Sequence, residues 1–136
     1  MEASRFDGVL GDFALDRTAS TEGARLDLGD GRYVLVRQAG GHNRRYDHLV
    51  AMRSRERGVI ELADELEQRL AWDRVCLEVA AEVLVAGWGG PGLEEIEFSP
   101  EAALELLEGH PAIFERVHAF AYAEENYRRS ADTKSD

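Results

Sequence analysis

Few residues in this chain carry reactive chemistry, and their spacing argues against each. The four histidines are His42, His48, His110 and His118. His42 has no carboxylate beside it. His110 and His118 are eight apart, whereas a helical metal pair needs a spacing of about four. Cys76 lies between Val75 and Leu77, where a thiol acts as a small hydrophobe; only Arg74 is placed to favour a thiolate. Gly87-Trp88-Gly89-Gly90-Pro91-Gly92 has the glycines of a phosphate cradle. Such loops follow a strand and open a helix; this one is expected to follow a helix, and it lacks the lysine. Glu94-Glu95, Glu124-Glu125 and the Glu61/Asp64 pair would need a pocket that separates their pKa values before doing acid–base work. They fall on polar faces or in a loop. No catalytic residue, metal site or cofactor is therefore expected.

Composition sets the class of partner. The 136 residues suit one domain, 32% are charged and 44% hydrophobic. A net charge of −11 disfavours nucleic acid and anionic lipid, both polyanions. The charge is uneven. From Arg37 to Arg57, six arginines against Asp47 and Glu56 make +4, which leaves −15 for the rest. A basic stretch on an acidic body suits a charged protein partner or head-to-tail self-association. It is equally well a solvated helix face. Cys76 is the only cysteine, which excludes an internal disulfide and fits a reducing cytoplasm. No apolar run reaches membrane-spanning length, and the first residues do not read as a signal peptide.

The positioning elements follow from periodicity and punctuation. Residues 1–23 read as an arm, ordered in part through Phe6, Leu10, Phe13 and Leu15. Residues 24–129 form the domain, and 130–136 a flexible tail. Asp30-Gly31 between two extended runs predicts a hairpin over Ala24–Arg37, because a type I′ turn needs positive φ. A two-residue turn sets Leu28 opposite Tyr33 and Leu26 opposite Leu35, all four on one face. Arg25, Asp27, Val34 and Val36 fall on the other.

Asn43 is placed to cap a helix carrying Tyr46, Leu49 and Val50, and Gly58 to end it. The longest periodic segment runs from Asp64 to Gly87, with Asp64-Glu65-Leu66-Glu67 as a capping box. Leu66, Leu70, Leu77, Ala81 and Leu84 make one stripe. Trp72, Val75, Val79 and Val83 widen it, as in a helix buried among others. Ser99-Pro100-Glu101 starts a further helix: serine caps, proline takes the first turn and glutamate opposes the dipole. Gly109 is expected to close it in a left-handed conformation. Pro111 starts the last helix, whose inner face carries Phe114. Trp88 is expected to cover the end of the core against Leu106 or Phe114. The fold class is mostly α, a small helical domain with an N-terminal β-hairpin.

Taken in order, several pieces resemble one family. They are the hairpin Leu28-Gly29-Asp30-Gly31 with Val34-Leu35-Val36-Arg37, the loop Gly41-His42-Asn43-Arg44-Arg45-Tyr46 and the helix end Val83-Leu84-Val85-Ala86-Gly87-Trp88. Phe98-Ser99-Pro100-Glu101, Leu106-Leu107, Pro111, Phe114 and Asn126-Tyr127-Arg128 follow. This set is similar to the tail-assembly chaperones of long-tailed bacteriophages and prophages. The connection Gly89-Gly90-Pro91-Gly92-Leu93 departs from the longer Asp/Gly-rich one of that family. The resemblance implies binding to a tape-measure protein, which is kept soluble, and recruitment of tail-tube subunits. It also implies the host cytoplasm as the place of action and absence from the mature virion. A strand within 64–87 would contradict both the helical periodicity and the resemblance.

The contact surface expected from the sequence is the basic first helix, with Arg44, Arg45 and Arg53 steering an acidic segment and Tyr46 and Met52 supplying apolar contact. Its rival is the last helix near Phe120 and Tyr127. Two other functions fit the same sequence: a small acidic regulatory or inhibitory protein that mimics nucleic acid against a basic partner, and an enzyme accessory subunit or a hydrolase built on His42 and an acidic residue.

Overall fold

The computed structural model describes residues 5–128; the predicted tail at 130–136 lies outside them. In chain order the elements are α1 (Asp7–Leu10), a 3₁₀ turn Gly11–Phe13, α2 (Arg17–Glu22), β1 (Ala24–Gly29), β2 (Arg32–Val36) and α3 (Arg45–Glu56). A 3₁₀ turn Val59–Glu61, α4 (Glu65–Val83), β3 (Val85–Gly89), a turn Leu93–Glu95, α5 (Pro100–Gly109), α6 (Pro111–Tyr122) and a turn Glu124–Tyr127 follow. The molecule is a mostly helical domain with a three-stranded antiparallel sheet in the order β1-β2-β3.

The hairpin turn has the predicted chemistry, with Asp30 at φ 57° and Gly31 at φ 80°. The register does not. A bulge at Leu28 pairs Asp27 with Tyr33, Leu26 with Val34 and Arg25 with Leu35. One extra residue reverses which side chains share a face. Leu26, Val34 and Val36 are buried together. Tyr33 instead shares its face with Arg25, whose guanidinium lies 4.1 Å from the ring centroid.

The helix predicted over Asp64–Gly87 stops at Val83, and Val85–Gly89 is a strand. The last three residues of the segment thus contradict the periodicity and count against the resemblance as well. The Gly87-Trp88 pair, taken as a helix end in the resemblance, is a strand feature here. The glycines make room rather than end a helix. Gly87 lies opposite Leu35 and Gly89 opposite Tyr33, and a Cβ on Gly89 would run into the Tyr33 ring. Pairing with β3 also satisfies the second edge of β2, whose backbone groups would otherwise be stranded in the core.

The core lies between this sheet and the helices. Val34, Val36, Val75, Val79, Val83, Leu84, Val85, Leu107 and Val117 are essentially inaccessible. The second half of α4 fills the centre, with α3 and α5 packed on it and α6 against β2. Predicted caps act at two helices. Asp64 accepts from Glu67 N at 2.9 Å, and Ser99 from Ala102 N at 3.0 Å with Pro100 in the first turn. Gly58, at φ 62°, follows the end of α3. Two other expectations fail. Gly109 is not at positive φ. Asn43 does not cap α3; it is buried and donates to Gln38 O at 2.8 Å, bracing the loop instead.

The N-terminal arm is ordered by its backbone more than by its apolar residues, since Phe6, Leu10 and Phe13 remain exposed. Leu15 bridges to Arg128, and Asp16 N donates to Tyr127 O at 2.6 Å. Ser20 Oγ donates to Gln38 Oε1 at 2.7 Å. The contacts of Leu15 and Asp16 clasp the two ends of the described chain together, and that of Ser20 ties α2 to the loop after β2.

Candidate functional site

The predicted contact residues divide once they are placed. Arg44 and Arg45 are exposed at the start of α3. Met52 is 37% exposed. Tyr46 is buried, so it cannot supply a surface contact. Its ring sits edge-on to His118 and Tyr122, and its hydroxyl, with no hydrogen-bond partner among the described residues, lies beside the Cys76 thiol. Arg53 is not a steering charge either. It makes a two-pronged contact with Glu82 at 2.5 and 3.0 Å and lies 3.6 Å from Glu78. Glu78 also takes Arg57 at 2.6 Å and Arg74 at 2.8 Å, and Arg74 reaches Glu108. This chain of charges joins α3, α4 and α5. Of the rival surface on the last helix, Tyr127 is fully buried, whereas Phe120 is half-buried and Tyr122 exposed.

Trp88 is half-buried in β3. Its ring meets Phe98 edge-on, with centroids 5.2 Å apart, and its Nε1 donates to Ile96 O at 2.9 Å. It lines a cavity of about 160 Å³ together with Leu106, while the contacts of its ring and Nε1 are with Phe98 and Ile96. Phe114 instead packs into the core beside His118, 5.9 Å between centroids. The reactive residues do not converge. His42 is exposed and lines neither this cavity nor the larger groove. Burial pushes the Cys76 thiol upward, against the thiolate. Among the described residues no group of three or more His, Cys, Asp or Glu is placed to hold a metal, and no helix is long and apolar enough to cross a membrane.

What the structure leaves uncovered is apolar surface at the far end of α4. The periodicity makes the whole helix central, yet only its second half is. Leu66 is 65% exposed, Leu70 58% and Trp72 43%. Between this end of α4 and the second half of α3 runs a groove of about 950 Å³. Ala51, Val59, Ile60 and Trp72 give it an apolar lining; Arg55, Glu65, Arg69 and Asp73 stand among them. The connector after Gly58 forms one side and is tied down by Gln68, whose Nε2 donates to Ile60 O at 3.0 Å. Ile60 itself is 84% exposed. The sequence signal was present as Ile60, Leu62, Leu66, Leu70 and Trp72, but periodicity reports apolar residues and not what covers them.

The buried aromatic cluster gives one prediction. Burial holds the His118 imidazole below its ordinary value of 6.5, and the charge of Asp47 opposes this less strongly. The unfolded chain therefore takes up a proton first as pH falls. Stability is unaffected by His118 above 6.5 and declines through it until the folded state also protonates. Glu78 behaves oppositely: Arg57 above all, with Arg74, holds its carboxyl below 4.5, so its contribution is full above 4.5 and lost beneath it. The melting temperature should fall between pH 7 and 5, and the fall should shrink in His118→Phe. An unchanged pH dependence in that variant would show that His118 is not the group responsible.

The family model described as YdaY prophage protein matches residues 42–135. That span begins in the loop before α3 and includes every groove residue. No curated protein and no solved structure matches the chain.

Proposed function

The chain belongs to the YdaY prophage protein family, and we propose that within the prophage it acts as a tail-assembly chaperone that binds the tape-measure protein. It holds that long helical protein soluble in the host cytoplasm until tail-tube subunits, which it helps recruit, enclose it. It works by binding and not by catalysis. The observation that carries this reading is the uncovered groove on α3 and α4, within the segment the prophage family model spans. Monomeric proteins seldom leave Ile60, Leu66, Leu70 and Trp72 all exposed in one region without a partner to cover them. A groove between helices receives the apolar face of another helix, which is what a tape-measure protein offers in quantity. The resemblance has lost its helical Gly87-Trp88 end to β3; what supports the assignment from it is the remaining ordered set Phe98-Ser99-Pro100, Leu106-Leu107 and Asn126-Tyr127-Arg128. Net charge of −11 would make coated assemblies repel one another.

Co-expression with the long tape-measure gene of the same prophage tests it. The tape-measure protein should be insoluble alone and co-purify with this chain when both are made. If the two neither associate nor alter one another's solubility, the chaperone reading is wrong.

A further inference from the structure

The N-terminal arm carries an apolar face of its own. Phe6, Val9, Leu10 and Phe13 stand at i, i+3, i+4 and i+7, the spacing that places four side chains on one side of a helix. The backbone there is already helical, with α1 running into the 3₁₀ turn Gly11–Phe13. The Arg128 guanidinium lies 5.2 Å from the Phe13 ring centroid, yet all four apolar side chains remain exposed. So short a helix is marginal unless something packs against it. The groove between α3 and α4 is a surface of the matching kind. Its charged lining, Arg55 and Arg69 against Glu65 and Asp73, balances to zero, so charge selects no occupant and apolar fit decides. A helix from Phe6 to Phe13 rises about 10 Å, and the stretch of α4 beside the groove, Glu65–Asp73, about 12 Å.

We propose that the groove of one copy receives Phe6, Val9, Leu10 and Phe13 of a second copy, and that the exchange is reciprocal. Area is the reason for reciprocity. The four arm side chains are 59%, 81%, 49% and 56% exposed. Together they present about 400 Å², and the groove surface beneath them loses a similar amount. One arm in one groove thus buries about 800 Å² in total, the upper limit of casual packing contacts, whereas two bury about 1,600 Å², the standard size of a specific interface. Reciprocal exchange also closes as a two-fold dimer, while one-way insertion would run on into open chains. The net charge of −11 on each copy opposes association, so apolar contact must carry it. The dimer goes beyond the chaperone reading and needs no client. On that reading, the arm of a second copy holds the groove until a tape-measure helix displaces it, and only this consequence rests on the reading.

Sedimentation velocity on the full chain is the test. The intact chain should pass from monomer to dimer as concentration rises. It should do so more readily at high salt, because charges already screened over about 8 Å at physiological ionic strength then repel still less. Val9→Ser with Leu10→Ser alters the arm, and Trp72→Ala alters the groove; both leave the net charge unchanged, and circular dichroism should show both folded. Each should weaken the dimer at least ten-fold. An equal mixture of the two should associate more tightly than either alone, since one intact arm still meets one intact groove.

A chain that stays monomeric up to millimolar concentration would overturn the proposal. So would a dimer lost in Trp72→Ala but kept in the arm variant, because the grooves would then meet face to face. A mixture no better than its components, or a dimer weakened by salt, would overturn it too. Dimerisation without tape-measure solubilisation would sink the chaperone assignment alone. Solubilisation by a chain that never dimerises would sink the arm exchange alone.

Discussion

Tyr127→Ala is expected to destabilise the domain by about 3–5 kcal/mol, the usual range for removing a buried aromatic ring, and to lower the melting temperature by roughly 10–20 °C for a domain of this size. Tyr127 is fully buried although it follows the last α-helix, where a sequence reading places the edge of the fold. Its ring meets Phe120 edge-on with centroids 5.8 Å apart. Its hydroxyl donates to Val36 O at 2.8 Å, tying the C-terminal turn to the central strand. Burial also raises the phenol well above its ordinary value, so the hydroxyl stays a donor across the accessible pH range. Its own carbonyl accepts from Asp16 N, so the same residue anchors the N-terminal clasp. Tyr127→Phe keeps the ring and loses the one hydrogen bond, and should cost about 1–2 kcal/mol. Thermal and urea unfolding of the two variants would check both values. Equal losses in the two would mean that the hydroxyl, not the ring, dominates.

The second large effect is functional. Ile60→Lys combined with Trp72→Ala should leave the fold intact and return a co-expressed tape-measure protein to the insoluble fraction. Ile60 is 84% exposed, so its replacement should change stability by no more than about 0.5 kcal/mol. Trp72 keeps more contact with the body of the protein and should cost more, though less than a buried aromatic. An Arg44→Glu, Arg45→Glu double variant serves as the contrast and should leave the client soluble. Arg53 is excluded from that variant because its contacts with Glu82 and Glu78 join α3 to α4. Replacing it would confuse a weakened fold with a lost interface. Loss of solubilisation in the arginine variant, with the groove variant unaffected, would move the surface back to the start of α3.

Features written in one or two residues were legible: the Asp30-Gly31 turn, Gly58 after α3, and the caps at Asp64 and Ser99. Each depends on φ or on a side-chain oxygen within three residues, so distant context has little leverage. Features set by distant neighbours were not legible. The Leu28 bulge appears only when β1 must match β2 against the core. The strand β3 was hidden because glycines that admit Leu35 and Tyr33 look, in one dimension, like glycines that end a helix. Tyr127 reads as part of a contact surface and not of the core, because no repeat of apolar residues surrounds it.

The candidate site followed the same rule. Arginine composition drew attention to α3, yet Arg53 was already committed to neighbouring helices and Tyr46 to the core. The groove was spelled in Val59, Ile60 and Trp72, and periodicity assigns that tryptophan to burial. Only the packing of α3 and α5 farther along α4 leaves its first turns bare.

The most direct test of the central claim is amide hydrogen exchange on the chain alone and in complex with its co-expressed tape-measure protein. The account predicts new protection at residues 51–73, covering the second half of α3, the connector after Gly58 and the first half of α4. Protection confined to the start of α3 around Arg44 and Arg45, or to α6, with exchange at 51–73 unchanged, would contradict it.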